Sequence, residues 1–334
     1  MKIIPLIPTH FYLPYFLALK DFDIKHLHFQ DYIDMVMDND PELVDFKISA
    51  VVFRHLFEII ERNRIKDFGI YSAQKYSLKA FSSQLKELEQ NNNVLLSNLF
   101  KFCCEFNKQG YLPSASLEKA NSGDIYFCHK RMTKFSIGEN IVQQHSIISF
   151  ISVIQFLIGD EQWQPKEVHL QGLQDDDELQ HALPNTQIYR GRECNRVVIE
   201  RSMLAESLSD KYFIKRRQYS YSPPENFCDQ LIQLLTPFIG QKIPKINYIA
   251  KISGISARTI QRILLLEGKS YRKLLTLMMM DKAKVELCNS DKKIQEISAL
   301  LGYTDKAHFT RAFKTSFGIT PKSYRQLNTK KASK

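Results

Sequence analysis

The stretch Leu300–Phe313, LLGYTDKAHFTRAF, sets a glycine, aromatic side chains, a histidine and an arginine within fourteen residues. Alone it fits two descriptions, a helix entering an apolar core or a surface built to lie on something acidic. An echo 48 residues upstream separates them. Ile249-Ala250-x-x-x-Gly254-Ile255 aligns with Ile297-Ser298-x-x-x-Gly302-Tyr303, and each glycine is followed by an apolar residue (Ile260, Phe309) and, two places on, by an arginine (Arg262, Arg311).

This spacing is what a helix-turn-helix requires. The first helix needs a small residue where the second crosses it closely. The turn needs a glycine, whose backbone adopts positive φ cheaply, and the second helix needs an apolar residue facing back. Ser256 suits the N-cap of one second helix, and Thr304 or Asp305 that of the other. With Phe309 at zero and about 100° per residue, Ala312, Phe313, Ser316 and Phe317 share its face, while Ala307, Thr310, Arg311 and Lys314 lie opposite. In the first copy Ile263 and Leu264 join Ile260, and Arg258, Gln261 and Arg262 point away. Arginine and glutamine on such a face bond guanine and adenine edges or phosphates in a major groove. Leu265 falls on the outward face, where it either meets a thymine methyl or packs on the next helix; packing is the expectation.

Between the copies Tyr271 to Leu287 runs without a breaker. A helix of about 17–20 residues spans roughly 25–30 Å, close to the ~34 Å rise of one DNA turn. Such a connector holds two reading helices in successive major-groove segments. Thr320-Pro321 starts a last short helix as cap plus N1 proline, with Tyr324 covering the second unit's core.

Charge agrees with an acidic partner. The 334-residue chain has a formal charge of +10, from 46 Lys+Arg and 36 Asp+Glu. Residues 241–334 hold 20 of the basic and 6 of the acidic residues, a net of +14, which leaves −4 for residues 1–240. A basic region on a near-neutral body points to nucleic acid first and a membrane surface second.

The body reads as α+β, with helices first and strands later. Residues 24–110 carry helical periodicity, over Ile48–Arg64 and again over Leu85–Phe106 with a polar interruption at Gln90–Asn93. Ser116–Lys119 and Ile125–Cys128 flank the turn signal Asn121–Asp124 as a hairpin. Ile147–Ile158 reads as a buried helix, and EVHLQG (167–172), TQIYRG (186–191) and RVVIER (196–201) as short strands. Asp175–Glu178 lacks the alternation of a calcium loop and reads as solvated loop. Ser209–Pro224, basic and ending in Pro-Pro, is expected to be a linker. The expected organisation is a domain over 1–208, a linker over 209–224 and a DNA-binding domain over 225–330. The first is α+β, largely helical with a small sheet; the second is all-α, two helix-turn-helix units joined by a connector helix.

At this point the sequence resembles the DNA-binding domain of the AraC/XylS family of bacterial transcription regulators. The residues that carry the likeness are Gly254-Ile255-Ser256, Thr259-Ile260-Gln261-Arg262 and Gly268, then Ile297, Gly302-Tyr303, Phe309-Thr310-Arg311-Ala312-Phe313-Lys314, Gly318-Ile319-Thr320-Pro321 and Tyr324-Arg325. Ser298 stands where the family usually has alanine, and Met279 where an arginine is common. Residues 1–210 more loosely resemble the effector-sensing domain of one branch, through Trp163-x-Pro165…Val168-His169-Leu170 and Tyr189-Arg190-Gly191…Asn195-Arg196-Val197. The resemblance implies a cytoplasmic transcription regulator, an activator by the habit of the family. Its implied partners are double-stranded DNA, RNA polymerase, a small-molecule effector and a second copy of the chain. The residues expected at DNA are Ser256, Arg258, Gln261, Arg262, Lys306, Ala307, Thr310, Arg311 and Lys314.

Other classes find little support. The body lacks a P-loop, G-x-G-x-x-G, H-E-x-x-H and G-x-S-x-G, so an enzyme with a nucleic-acid-tethering tail is the weaker reading, and no catalytic, cofactor or metal residues are assigned. His26-x-His28 is the nearest approach to a metal pair. The six cysteines show neither C-x-x-C nor zinc-ligand spacing and read as buried reduced thiols. The start lacks a basic n-region and a cleavage site, and no run of 18 apolar residues appears; a cytoplasmic protein off the membrane is expected. A nonspecific architectural DNA binder remains as the alternative, though it needs no 200-residue body. Ile125–Phe127 and Phe100–Phe106 read as core rather than pocket lining, and Arg190, Arg192, Arg196 and Arg201 as a solvated face or an acidic-ligand site.

Overall fold

The structure, a computed structural model, describes residues 4, 6–22, 47–108, 114–130, 137–173, 177–213, 226–239 and 243–329. The pair His26-x-His28 and most of the expected linker lie outside these residues.

The described residues form two compact units. In the first, β1 (Leu6–Pro8) pairs antiparallel with β2 (Lys47–Ser49), and α1 (Thr9–Asp21) lies between them in sequence. The periodicity expected from Ile48 becomes helical only at Ala50, because Ser49 is an N-cap whose hydroxyl accepts from the Val51 N–H. From there α2 (Ala50–Arg62) buries Val52, Phe53, Leu56, Phe57, Ile59 and Ile60 on one face. Helices α3 (Phe68–Ala80), α4 (Ser82–Leu85) and α5 (Leu95–Lys108) follow, with the polar run at Gln90–Asn93 as the break before α5.

The predicted hairpin is β3 (Ser114–Lys119) and β4 (Ile125–Lys130). The long apolar run is α6 (Glu139–Ile158). Then come β5 (Glu167–His169), α7 (Asp177–Ala182), β6 (Gln187–Tyr189) and β7 (Asn195–Ile199). Asp177 and Glu178, expected in a solvated loop, instead open α7, where acidic groups in a first turn oppose the helix dipole favourably. The sheet order is β3-β4-β7-β5-β6, antiparallel except for the β5–β6 pair.

Period-2 alternation gives the sheet two faces. Leu117, Ile125, Phe127, Val168, Ile188, Val197 and Ile199 enter one core with Phe102, Phe106 and Phe150, and the Phe127 and Phe150 rings stack with centroids 4.2 Å apart. From these two stretches Phe102, Cys103, Phe106, Ile125 and Phe127 therefore serve as core, with Phe100 packed against them. The other face carries Glu118, Tyr126, Cys128, His169, Tyr189 and Arg196, which the register places side by side. Helix α6 is long and apolar enough to cross a membrane. Here it is a core helix, and Gln143, Gln144, His145, Ser149 and Ser152 are buried along it with its aliphatic residues.

The second unit is all helical, as expected. Its helices are α8 (Phe227–Leu235), α9 (Ile246–Ser253), α10 (Ala257–Leu266), α11 (Tyr271–Asn289), α12 (Ile294–Leu300), α13 (Lys306–Phe317) and α14 (Pro321–Thr329). Ile4, far away in sequence, belongs to this unit. It is fully buried, and its N–H donates to Gln230 Oε1 at 2.7 Å. In the expected linker, Asp210–Tyr212 forms a short 3-10 turn, and the Tyr212 ring meets Phe100 edge-on at 5.7 Å.

Candidate nucleic-acid interface

The two aligned segments fold as the same device. Gly254 (φ 69°) ends α9 and Gly302 (φ 77°) follows α12, both in the left-handed region that side chains with a Cβ enter at a cost of about 1–2 kcal/mol. Ser256 caps α10, its hydroxyl accepting from the Thr259 N–H at 3.2 Å. For the other unit the cap is Asp305, whose Oδ1 accepts from the Ala307 N–H at 2.8 Å. The carboxylate also sits against the positive end of α13.

Each second helix buries the face expected of it. Ile260 and Leu264 of α10 are fully buried, as are Ile249 and Ile252 of α9, and Ile255 in the turn is buried too. Phe309 and Phe313 of α13 are fully buried in a cluster with Met279, Met280, Ala283, Leu287, Ile297 and Leu301. Tyr303 meets Phe309 at 5.6 Å, and Tyr324 of α14 meets Phe313 at 5.5 Å. Full burial of side chains this size stabilises by roughly 1.5–3 kcal/mol each. Met279, where the family resemblance led to an arginine, is a core residue of α11.

The opposite faces are open. Arg258, Gln261 and Arg262 are exposed on α10, as are Lys306, Ala307, Arg311 and Lys314 on α13, and the cap Ser256 is exposed ahead of α10. Thr310 departs in part: it is half-buried, and its hydroxyl donates to the Lys306 carbonyl at 2.8 Å. His308 is exposed, 3.9 Å from Asp305. Leu265 does not pack on the following helix. It is 74% exposed and Leu266 78%, because Lys269 N–H closes the turn onto the Leu264 carbonyl and only Leu264 looks inward.

The connector α11 has 19 residues, about 28 Å at 1.5 Å per residue. Its C-terminal end is tied down by Arg325 of α14, whose guanidinium donates to the Leu287 carbonyl at 3.1 Å and the Ser290 carbonyl at 3.3 Å. Beside it lies a basic concavity of about 450 Å³ lined by Lys293, Gln295, Lys306, Lys322 and Arg325, with Ile294 and Gln326. Lys306 and Lys322 stand in the first turns of α13 and α14, where free N–H groups and the helix dipole favour an anion. Of these cations only Lys306 was expected. The others sit on separate elements, and the one sequence signal for Lys322 is its place just after the Thr320-Pro321 helix start.

Three of the four body arginines have contacts of their own. Arg196 bonds Glu118 at 3.0 Å and lies over the Tyr126 ring, Arg192 lies over Tyr189, and Arg201 bonds the Leu204 carbonyl.

Comparison with known proteins places this geometry. Residues 249–327 match the family described as a helix-turn-helix domain. The transcriptional activator NphR of Rhodococcus sp. is 32% identical over 78 residues, 23% of this chain and 23% of that protein. The HTH-type transcriptional activator CfaD of Escherichia coli is 24% identical over 147 residues, 40% of this chain and 55% of that one. FapR, an HTH-type activator of Escherichia coli, is 30% identical over 98 residues, 29% and 37% of the two chains. The chain thus spans between 23% and 55% of the length of these relatives. Among solved structures, the C-terminal domain of AraT, a response regulator from Geobacillus stearothermophilus, shares 28% identity over 30% of this chain and 84% of that chain, with a TM-score of 0.28. The transcriptional regulator CdpR from Pseudomonas aeruginosa is 16% identical over 95% and 98% of the two chains, with a TM-score of 0.31. The relatives carry the names of regulators, in accord with the expectation that the chain is not an enzyme.

Proposed function

From a C-terminal region that is a helix-turn-helix domain of the AraC type, we propose that the chain is a sequence-specific transcription regulator, an activator, that sets α10 and α13 in successive major-groove segments. The observation that carries this reading is the pairing of faces. Both second helices bury an apolar stripe and leave Arg258, Gln261 and Arg262, or Lys306, Ala307, Arg311 and Lys314, open to solvent. Thr310 and Ser256 contribute at the margins of those faces, and Lys293, Lys322 and Arg325 add phosphate contacts from the basic concavity. A connector of about 28 Å supports placement of the helices roughly one DNA turn apart.

The activator role is supported by the likeness to NphR, CfaD and FapR, which are named as transcriptional activators. In this reading RNA polymerase is the partner at the promoter. Residues 1–208 receive a small-molecule effector and pair two copies of the chain, residues 209–224 link them to the DNA-binding domain over 225–330, and the protein works in the cytoplasm. The support for these is the looser resemblance of the body.

The test begins with selection of a bound site from random duplexes, followed by gel-shift titration. Arg262→Ala and Arg311→Ala are each expected to weaken specific binding by about 1–3 kcal/mol and to relax base preference where each residue reads. Binding is expected to fall steeply with salt, as contact with six or more phosphates requires. Equal affinity of both variants for the selected site would remove these residues from the interface. Equal affinity of the wild type for unrelated duplexes would favour an architectural binder instead.

A further inference from the structure

The outer face of the five-stranded sheet brings together groups that are remote in sequence. Cys128 lies in β4, Cys194 just before β7 and Glu118 in β3, and one ligand atom from each lies within 4.8 Å of the others. The β3–β4–β7 register explains the meeting. Ser116 pairs with Cys128 and Glu118 with Tyr126, while Cys128 pairs with Arg196, so Glu118, Cys128 and Arg196 share one face, and Cys194 stands immediately before β7. Both cysteines are fully buried, while the Glu118 side chain is 34% exposed. Arg196 joins the group, donating to Glu118 Oε2 at 3.0 Å.

We propose that Glu118, Cys128 and Cys194 form a binding site for a thiophilic divalent cation of the zinc class. Two thiolates and a carboxylate are a donor set that Zn²⁺ accepts, and three protein ligands leave a fourth tetrahedral position for water or a small ligand. The charges close. Two thiolates, one carboxylate and a dication sum to −1, and the Arg196 guanidinium brings the site to zero, which is what a buried site requires. A thiol gives up its proton when it ligates a metal, so binding releases protons to solvent as the two metal–sulfur bonds form. The exposed edge of Glu118 supplies the way in. A bound ion would cross-link β3, β4 and the segment that enters β7.

A redox role for the same pair is weaker, because thiols buried to this degree are poorly accessible to oxidants and to partner thiols.

Cadmium titration of the purified, reduced, chelator-treated full chain tests the site, with the thiolate-to-cadmium absorption band as readout and zinc as competitor. One equivalent per chain is expected, with protons released and with zinc displacing the band. Cys128→Ala and Cys194→Ala should each abolish tight binding, whereas Cys288→Ala, at an exposed position, should leave it intact. Should the core variants fail to fold, Glu118→Gln decides. It lies at the surface end of the site and is expected to weaken affinity by about tenfold or more while the band persists. A missing saturable band, a band that survives Cys128→Ala with Cys194→Ala, or unchanged affinity in Glu118→Gln would each overturn the proposal.

Discussion

Ser298→Ala is expected to stabilise the C-terminal unit. Ser298 sits on α12 and is 2% exposed. Its hydroxyl has no hydrogen-bond partner, while its backbone carbonyl accepts from the Tyr303 N–H at 3.0 Å and closes the turn. The substitution leaves that backbone bond alone and removes only the oxygen. A buried hydroxyl left unpaired costs roughly 1–3 kcal/mol. Alanine also gains up to about 0.5 kcal/mol in helix propensity over serine. Against this stands a void the size of one atom, so the net gain is about 1–2 kcal/mol. For a unit of this size about 4–8 °C accompanies each kcal/mol, so its melting transition should rise by roughly 4–16 °C. The assay is thermal and urea denaturation of the full chain, followed by circular dichroism. DNA affinity should not change, because Ser298 faces protein. A melting point that stays put or falls would refute the reasoning, since the hydroxyl would then have to be satisfied or needed for packing. The first helix-turn-helix already has alanine at the matching position, Ala250.

Phe309→Ala should destabilise the same unit by about 3–5 kcal/mol, the range for truncating a buried phenylalanine, and abolish DNA binding at temperatures where the variant unfolds; a native melting curve would count against its place in the core. His145 provides a pH test. It is buried on α6, its Nδ1 is 2.9 Å from Ser72 Oγ, and burial lowers its pKa from 6.5 to about 3. The unfolded chain binds a proton below 6.5 that the folded chain refuses, so this contribution is full above pH 6.5 and is lost as pH falls towards 3. At pH 5 the loss is about 2 kcal/mol, at about 1.36 kcal/mol per unit. His145→Gln should flatten the slope of urea stability between pH 6.5 and 5, and a slope equal to that of the wild type would exclude His145 as its source.

The helix-turn-helix pair was legible because its signals are local. A glycine at a fixed distance from a small residue, and an aromatic in register behind it, need no knowledge of the rest of the chain. Helical periodicity then gave the direction in which Phe309, Phe313, Arg262 and Arg311 point. Direction alone does not reveal what covers a face. Leu265 was expected to pack, yet the turn at Gly268 directs the chain past Leu264 instead. The choice between Thr304 and Asp305 as cap turned on backbone geometry that both residues permit. Lys293, Lys322 and Arg325 converge from separate helices, and Glu118, Cys128 and Cys194 meet only through strand register. Pairings of that kind are set by tertiary structure and leave no periodic trace in the sequence.

The central claim is that α10 and α13 read one DNA face together, held apart by α11. Its most direct test uses the selected site cut between the two half-motifs, with about 5 bp inserted, half a turn of the duplex, and with about 10 bp inserted, a full turn. With a rigid connector of about 28 Å, both insertions should reduce gel-shift affinity to that of a single half-motif. Affinity that survives either insertion would show that the two helices do not read the site as one rigid pair.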